Sequence, residues 1–435
     1  MALAAFAVRS GDETRQVQMV SVDDLVPVDD ELRRIEALVD WDHVRATARP
    51  FYRAGGAGRS GIDPAVLVKL ALVLAWRGLG SMRETLRVAQ TDMSIRRFLG
   101  FGLTERLPDH STFSHAQTKR FADSSVFDQL FVAVLRQCTE AGLVGGRRLL
   151  VDGTHIEADA ALSSLRAELT PVGTDTDTGT DTDTDTDTDT DTDDGAGSGP
   201  GLVLAESRSG ATPRRVASNA TAVSRTDPDA KLRHKPGHRT HLVHRGQVAV
   251  DPKARVIVAV MAERATGSEA DCLADIVTRA RFAGHTVDEL AADSGYASQD
   301  AYTTLEALKT TALIPPQPRA KHDAAVAARE RMRTTTGRDA AFDRQAHAEG
   351  AISELKRHGA GRARCRGTRL LQLQLLAAAT AINLKRLLAA QDASQRADDA
   401  NPDEYMAPIR ALTRSLIAIL DEIGRLTAAD LSTGS

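Results

Sequence analysis

Residues 147–160, "RRLLVDGTHIEADA", set the central question of the chain. Leu149, Leu150 and Val151 predict a short buried strand, residues 147–152, that closes on Asp152, with Gly153 supplying the turn. A buried carboxylate is costly without a cation, a metal or several donors. Asp152 is therefore either the ordinary end of a strand or half of a site. A second segment repeats the pattern. In "DELAADSGYAS", residues 288–298, the apolar run Leu290-Ala291-Ala292 stops at Asp293, and Ser294-Gly295 makes the turn. Chemistry in α/β sheets collects at strand ends, so two acids placed in this way can share one crevice.

The elements around these acids give the class. "HLVHRGQVAVD" (241–251) and "RVIVAVMAER" (255–264) predict a hairpin about the turn "DPKA". "CLADIVTRARFAG" predicts a helix, "SQDAYTTLEALKT" a second, and "TALIPP" a short strand. A long helix is expected from near Ala341, carrying "RQAHAEGAISELKRHG", while 319–340 holds few apolar residues of strand type. The order β, long insert, β-hairpin, α, β, α, β, α is mixed α/β.

A third acid on the last helix would complete a site for divalent cations, which take oxygen ligands. Helical residues advance by about 100° each, so Glu349 and Lys356, seven apart, share a face, whereas Glu354 lies well round the helix. Glu349 could hold a metal while Lys356 meets a phosphate; without such partners Glu349 is a solvated helix charge. Next comes "KRHGAGRARCRGTRL", with Arg357, Arg362, Arg364 and Arg366 among its cations. Closely spaced arginines beside a metal site suit a phosphate backbone, though a solvated basic loop has the same composition. No phosphate-loop, nucleophile-elbow or HExxH pattern is present.

The remainder divides readily. Residues 1–22 are expected to be a flexible lead-in and 23–140 a helical, DNA-binding N-terminal domain. Within it Asp63 and Pro64 mark a helix start, and Ser81 with Glu84 forms a capping-box spacing. Arg83, Arg87, Arg96, Arg97, Lys119 and Arg120 intersperse short helices, as in a helix-turn-helix domain or a plain bundle with solvated charges. A catalytic domain is expected over 145–390, interrupted at 165–230 by a largely disordered insert, and a helical tail over 391–435. Within the insert, 174–194 alternate Thr and Asp, a composition that cannot offset its ordering entropy. This tract holds ten Asp and no base; without it the net charge of −4 becomes positive, as a nucleic-acid partner prefers. Three widely spaced cysteines suggest neither a zinc site nor a disulfide framework, and fit a reducing cytosol. The start lacks a secretory pattern, and "PAVLVKLALVLAW" and "LLQLQLLAAATAINL" are expected to be buried helices, too short or too polar to span a bilayer.

With these residues in place, the chain resembles bacterial insertion-sequence transposases of the DDE type. "VDGTHIEADA", "DPDAKLRHKPG", "AADSGYAS" and "AEGAISELKRHGAGRARCRG" are each similar to family segments, in this order, and "LPDHSTFSHAQTKR" resembles the family's helical N-terminal domain. The resemblance covers roughly 20–390. It implies a ribonuclease H-like mixed-sheet core and a triad of Asp152, Asp293 and Glu349. It also implies dependence on two Mg²⁺ ions, with Mn²⁺ as a substitute, and cutting and joining of double-stranded DNA at the element's ends and target. Lys356, Arg357, Arg362, Arg364, Arg366 and Arg344 would contact that DNA, within a homodimer or larger assembly in the bacterial cytoplasm, at the nucleoid. The family helix usually reads Tyr-x2-Arg-x3-Glu-x6-Lys; here these positions are Phe342, Gln345, Glu349 and Lys356, with Arg344 one residue early and placed to compensate. Two rivals remain at this point: a degenerate copy that occupies the terminal repeats without cutting, and a metal-dependent phosphohydrolase of small molecules.

Overall fold

The computed structural model describes residues 19–52, 61–167, 219, 222–234 and 239–399. The Thr-Asp tract, most of the lead-in and the tail beyond 399 lie outside the described residues.

Local sequence starts most helices. In the N-terminal third these are α1 (Glu31–Leu38), α2 (Trp41–Ala48), α3 (Pro64–Trp76), α4 (Met82–Ala89), α5 (Met93–Leu99), α6 (His110–Ala116) and α7 (Val126–Glu140). Asp63 accepts the Ala65 N–H ahead of Pro64, as expected of a cap followed by proline. Ser81 Oγ accepts the Glu84 N–H at 3.2 Å, while the Glu84 carboxylate reaches back to the Gly80 N–H at 2.8 Å, one residue short of a full capping box. From Ala65 to Trp76 only Val66 is not buried, so α3 is the central helix of this third.

The sheet is built from β1 (Arg148–Glu157), β4 (Lys231–Arg233), β5 (His241–Asp251), β6 (Val256–Arg264), β7 (Glu289–Ala291) and β8 (Thr311–Leu313). Between β1 and β4 lie two short strands, β2 (Leu165–Ala167) and β3 (Ala222–Ser224). The main order is β4-β5-β1-β7-β8, with β6 also along β5. β1, β7 and β8 run parallel, and β5 is antiparallel to β1 and β6. The helices after the hairpin are α8 (Leu273–Phe282), α9 (Gln299–Ala307), α10 (Asp323–Arg333), α11 (Thr335–Asp343), α12 (Glu349–Leu355) and α13 (Thr368–Asp399). The class is α/β with a mixed sheet.

Three expectations need correction. β1 does not end at Asp152 but continues to Glu157. The insert is narrower than 165–230: β2 pairs antiparallel with β3, and Leu165, Ala222, Ala230, Ala158 and Leu242 form a small apolar core. The helix of the third acid starts not near Ala341 but at Thr335, where Thr334 caps the Gly337 N–H.

α13 explains its polar residues. Gln372 accepts from Ala262 N–H (2.7 Å) and donates to Val260 O (3.0 Å); Asn383 accepts from Ile257 N–H (2.9 Å) and donates to Ile257 O (2.8 Å). Two side-chain amides thus satisfy the open edge of β6, a backbone row that otherwise invites strand pairing. α13 is long and apolar enough to cross a bilayer, unlike the expectation from "LLQLQLLAAATAINL" alone, but Leu371, Leu375, Ala378 and Ile382 are fully buried in protein. The chain divides into two units, Met1–Leu384 and Lys385–Ser435. The helical third and the sheet belong to the first, joined by contacts such as Cys138 Sγ to Asn383 O and His358 Nδ1 to Ala75 O (2.7 Å). In the second unit, residues 385–399 are helical.

Candidate active site

The site begins with strand register. Arg148 pairs with Glu289 and Leu150 with Ala291 in the parallel β1–β7 ladder. The ladder stops at Leu150 and Ala291, and each acid lies two residues beyond it, Asp152 still within β1 and Asp293 past the end of β7. β7 ends at Ala291 while β1 runs on beside β5 alone. Asp152 therefore stands where the parallel neighbour leaves the sheet, and a crevice opens there. A fixed clamp sits behind it. Arg148 donates to Glu289 (2.7 Å) and to Asp343 at the end of α11 (2.8 Å), tying both strands to the helix of the third acid.

Between α11 and α12 the helix widens into a π-turn, Arg344–Ala348, with hydrogen bonds to the fifth residue along. Such a turn brings residue i into the sector that residue i+1 would hold in an α-helix. Arg344 opens this widened turn. Its Nη1 lies 3.5 Å from Asp152 Oδ2. Glu349 opens α12 and is exposed. Phe342 (72% exposed) and Gln345 face solvent, so at the two departing positions neither side chain is buried against the acids.

Electrostatics join the three acids. Burial pushes the Asp152 carboxyl above its ordinary range, and the charges of Asp293 and Glu349 push it further; Arg344 and the Gly153 N–H oppose this. Among the described residues no three His, Cys, Asp or Glu side chains close into a cage. The three acids are all carboxylates, the ligand type a hard cation takes, and one of them is raised by burial and by its like-charged neighbours. That fits an open site of few carboxylates better than a closed cage.

Glu269 carries no signal in the sequence, yet it stands beside the acids. A Cβ at Gly295 would lie 2.6 Å from Glu269 Oε2 and 3.0 Å from Asp293 Oδ1; one at Gly153 would lie 3.1 Å from Tyr296 Oη and 3.8 Å from Glu269 Oε1. The glycine after each Asp is thus needed for space more than for a turn. It lets Glu269 and the buried Tyr296, hydrogen-bonded to Gln247, approach the acids.

Cations flank the acids further along β1. Burial, then Arg233, Arg245 and Lys356, push His155 down to about 4. Lys356, Arg357, Arg362 and Arg366 are exposed. Arg364 differs from them. Its Nη1 donates to Gly359 O at 3.0 Å and burial lowers its pKa to about 10, so it supports the loop and does not face outward. Gln374 of α13 holds the same loop, accepting from Arg364 N–H and donating to Gly359 O and Arg362 O. The apolar cavity of about 610 Å³ lined by Phe131, Val258 and Phe282 contains none of the three acids.

Comparison with known families gives two matches. The family "Transposase domain (DUF772)" matches residues 20–119 and the family "Transposase DDE domain" matches 210–384, together more than half of the chain. No solved structure matches it. The second match begins after the insert; it includes Asp293 and Glu349, and β1 brings Asp152 to them from outside it. The chain belongs to the DDE transposases of insertion sequences.

Proposed function

We propose that the chain cuts and rejoins DNA at the ends of its element, with Asp152, Asp293 and Glu349 as the catalytic acids. The observation that supports this is that Asp152 and Asp293 each lie two residues past the paired Leu150 and Ala291, and that the charges of Asp293 and Glu349 both act on Asp152. Two divalent ions held by these carboxylates, Mg²⁺ or Mn²⁺ in its place, would activate the attacking oxygen and stabilise the leaving 3′-oxygen. The chain's own residues supply position and charge. Asp152 on its strand and Asp293 in the turn just past the next strand would supply two ligand points, and Glu349 would bring the third from the helix clamped by Arg148. Arg344 neutralises Asp152 before substrate arrives and is then free to meet a phosphate. Lys356, on the face of Glu349, and Arg357, Arg362 and Arg366 hold the backbone beside the scissile bond. The N-terminal helices read the terminal repeat, and joining two ends calls for a dimer or larger assembly on DNA, in the bacterial cytoplasm.

Incubating the purified protein with DNA flanking its own coding region, with and without Mg²⁺, tests this. Strand cleavage that EDTA abolishes is expected. Tight binding with no cleavage under Mg²⁺ or Mn²⁺ would instead identify a copy that only occupies the repeats, and hydrolysis of a generic phosphate ester in preference to DNA would identify a phosphohydrolase.

A further inference from the structure

Three surface depressions, of about 310, 630 and 850 Å³, share lining residues in sequence. The first lies at α4 and the start of α6, lined by Arg83, Arg87, Arg106 and His110. The second is lined again by Arg83 and His110 and adds Asp159 and Arg362. The third is lined again by Asp159 and Arg362 and adds Arg239, His241 and Arg366. Each depression shares two residues with the next, so the three form one furrow. It runs from the helical third across the far end of β1, where Glu157 also lines it.

Its charge is positive and largely uncommitted. Arg83, Arg87, Arg106, Arg239, Arg362 and Arg366 are all exposed, and among the described residues only Arg366 is ion-paired, to Asp159 at 3.7 Å. The acids in the furrow are partly engaged: Asp109 caps α6 and Glu105 accepts the Gly102 N–H. Glu157 is five residues beyond Asp152 on β1, about 17 Å along the strand. That is about five base-pair rises of 3.4 Å.

We propose that this furrow seats double-stranded DNA by its sugar-phosphate backbone, delivering it along β1 to Asp152 from a grip on α4 and α6. The proposal rests on the reading of the chain as a DNA-cutting enzyme. It adds the path of the duplex and assigns Arg83, Arg87, Arg106 and Arg239 as phosphate contacts. Each phosphate contact releases counterions, so the path is legible in the salt dependence of binding.

The test is fluorescence anisotropy of a labelled duplex from the flanking DNA, titrated at several salt concentrations. Replacing Arg83, Arg87 and Arg106 together with Ala is expected to make the slope of log affinity against log salt shallower by about 0.9 per arginine, hence about 2.7. The matching Arg→Lys triple, which keeps the charge, should restore the slope. Arg147→Ala, which removes a 77% exposed cation at the opposite end of β1, should leave it unchanged. Should the Ala triple fail to fold, Arg87→Ala alone should lower the slope by about 0.9. A wild type that binds and cuts while the furrow variants keep its slope, or while Arg147→Ala flattens it equally, overturns the furrow alone. A wild type that binds no duplex overturns the DNA-cutting reading and the furrow with it.

Discussion

Asp152 lies within a strand and Asp293 two residues past the end of the parallel strand beside it, each followed closely by a glycine, and their surroundings differ. Asp152 lies inside a continuing strand, its side chain 15% exposed, facing Arg344 and raised by burial and by two neighbouring acids. Asp293 lies where its strand has ended; its carboxylate caps the next turn, accepting the Gly295 N–H at 2.8 Å. Both accept a local backbone N–H, but for Asp152 burial outweighs that bond and the charge of Arg344, whereas the bond of Asp293 caps a turn. A shared pattern of apolar run, Asp and Gly reports position along the sheet and not the energetics of the charge.

The largest effect expected from this contrast is shared. Asp152→Asn and Asp293→Asn should each lower metal-dependent cleavage by at least about a hundredfold, because a lost ligand removes several kcal/mol of transition-state stabilisation. DNA binding should persist in both; retention of near-normal cleavage by either variant removes that residue from the triad.

Stability should then separate the two. Asp293→Ala loses a turn cap and is expected to cost about 1 kcal/mol in chemical denaturation. Asp152→Asn, measured with EDTA present, should melt at or above the wild type at neutral pH. The sign follows from linkage. The folded carboxyl of Asp152 is raised above its unfolded value, so its penalty is full above the folded value and disappears as pH falls to the ordinary carboxylate range. The gap between variant and wild type should close over that window. A gap that widens on acidification would show instead that the native state stabilises Asp152 as an anion.

The basic loop offers a parallel contrast. Arg364→Ala should destabilise the fold by about 1–3 kcal/mol, since it strips a donor from a packed loop. Arg362→Ala and Arg366→Ala should leave the melting temperature within about 1 °C and weaken DNA binding instead. Identical behaviour of all three would mean that the inward turn of Arg364 has no energetic consequence. The smallest effect is expected from removing residues 174–194, whose composition offers no apolar surface to bury; folding and cleavage should be nearly unchanged. A large fall in melting temperature on that deletion would show that the tract supports the fold.

Much of the fold was legible in the sequence because it rests on strong local signals. The hairpin over 241–264 alternates and carries its turn, and the two apolar runs that stop at an Asp mark neighbouring parallel strands, of which only the second ends near its acid. What escaped has no local signal. β2 and β3 are three residues each and are joined across more than fifty residues, so no periodicity shows them. The π-turn at Arg344–Ala348 has no local signal, and Arg344 meets Asp152 only in three dimensions. Glu269 comes from a short turn after the hairpin and meets Asp293 only in three dimensions. The inward turn of Arg364 depends on Gln374, a residue that in sequence is one polar interruption of an apolar helix.

The proposed site depends on Glu349, whose charge acts on Asp152, being the third acid. The most direct test compares Mg²⁺-dependent strand cleavage by Glu349→Gln and Glu354→Gln on the same flanking duplex, with binding measured in parallel. Glu349→Gln is expected to bind DNA as the wild type does and to lose cleavage by at least about a hundredfold, while Glu354→Gln cleaves at near the wild-type rate. Loss of cleavage in Glu354→Gln with retention in Glu349→Gln would contradict the helix register and the site built on it.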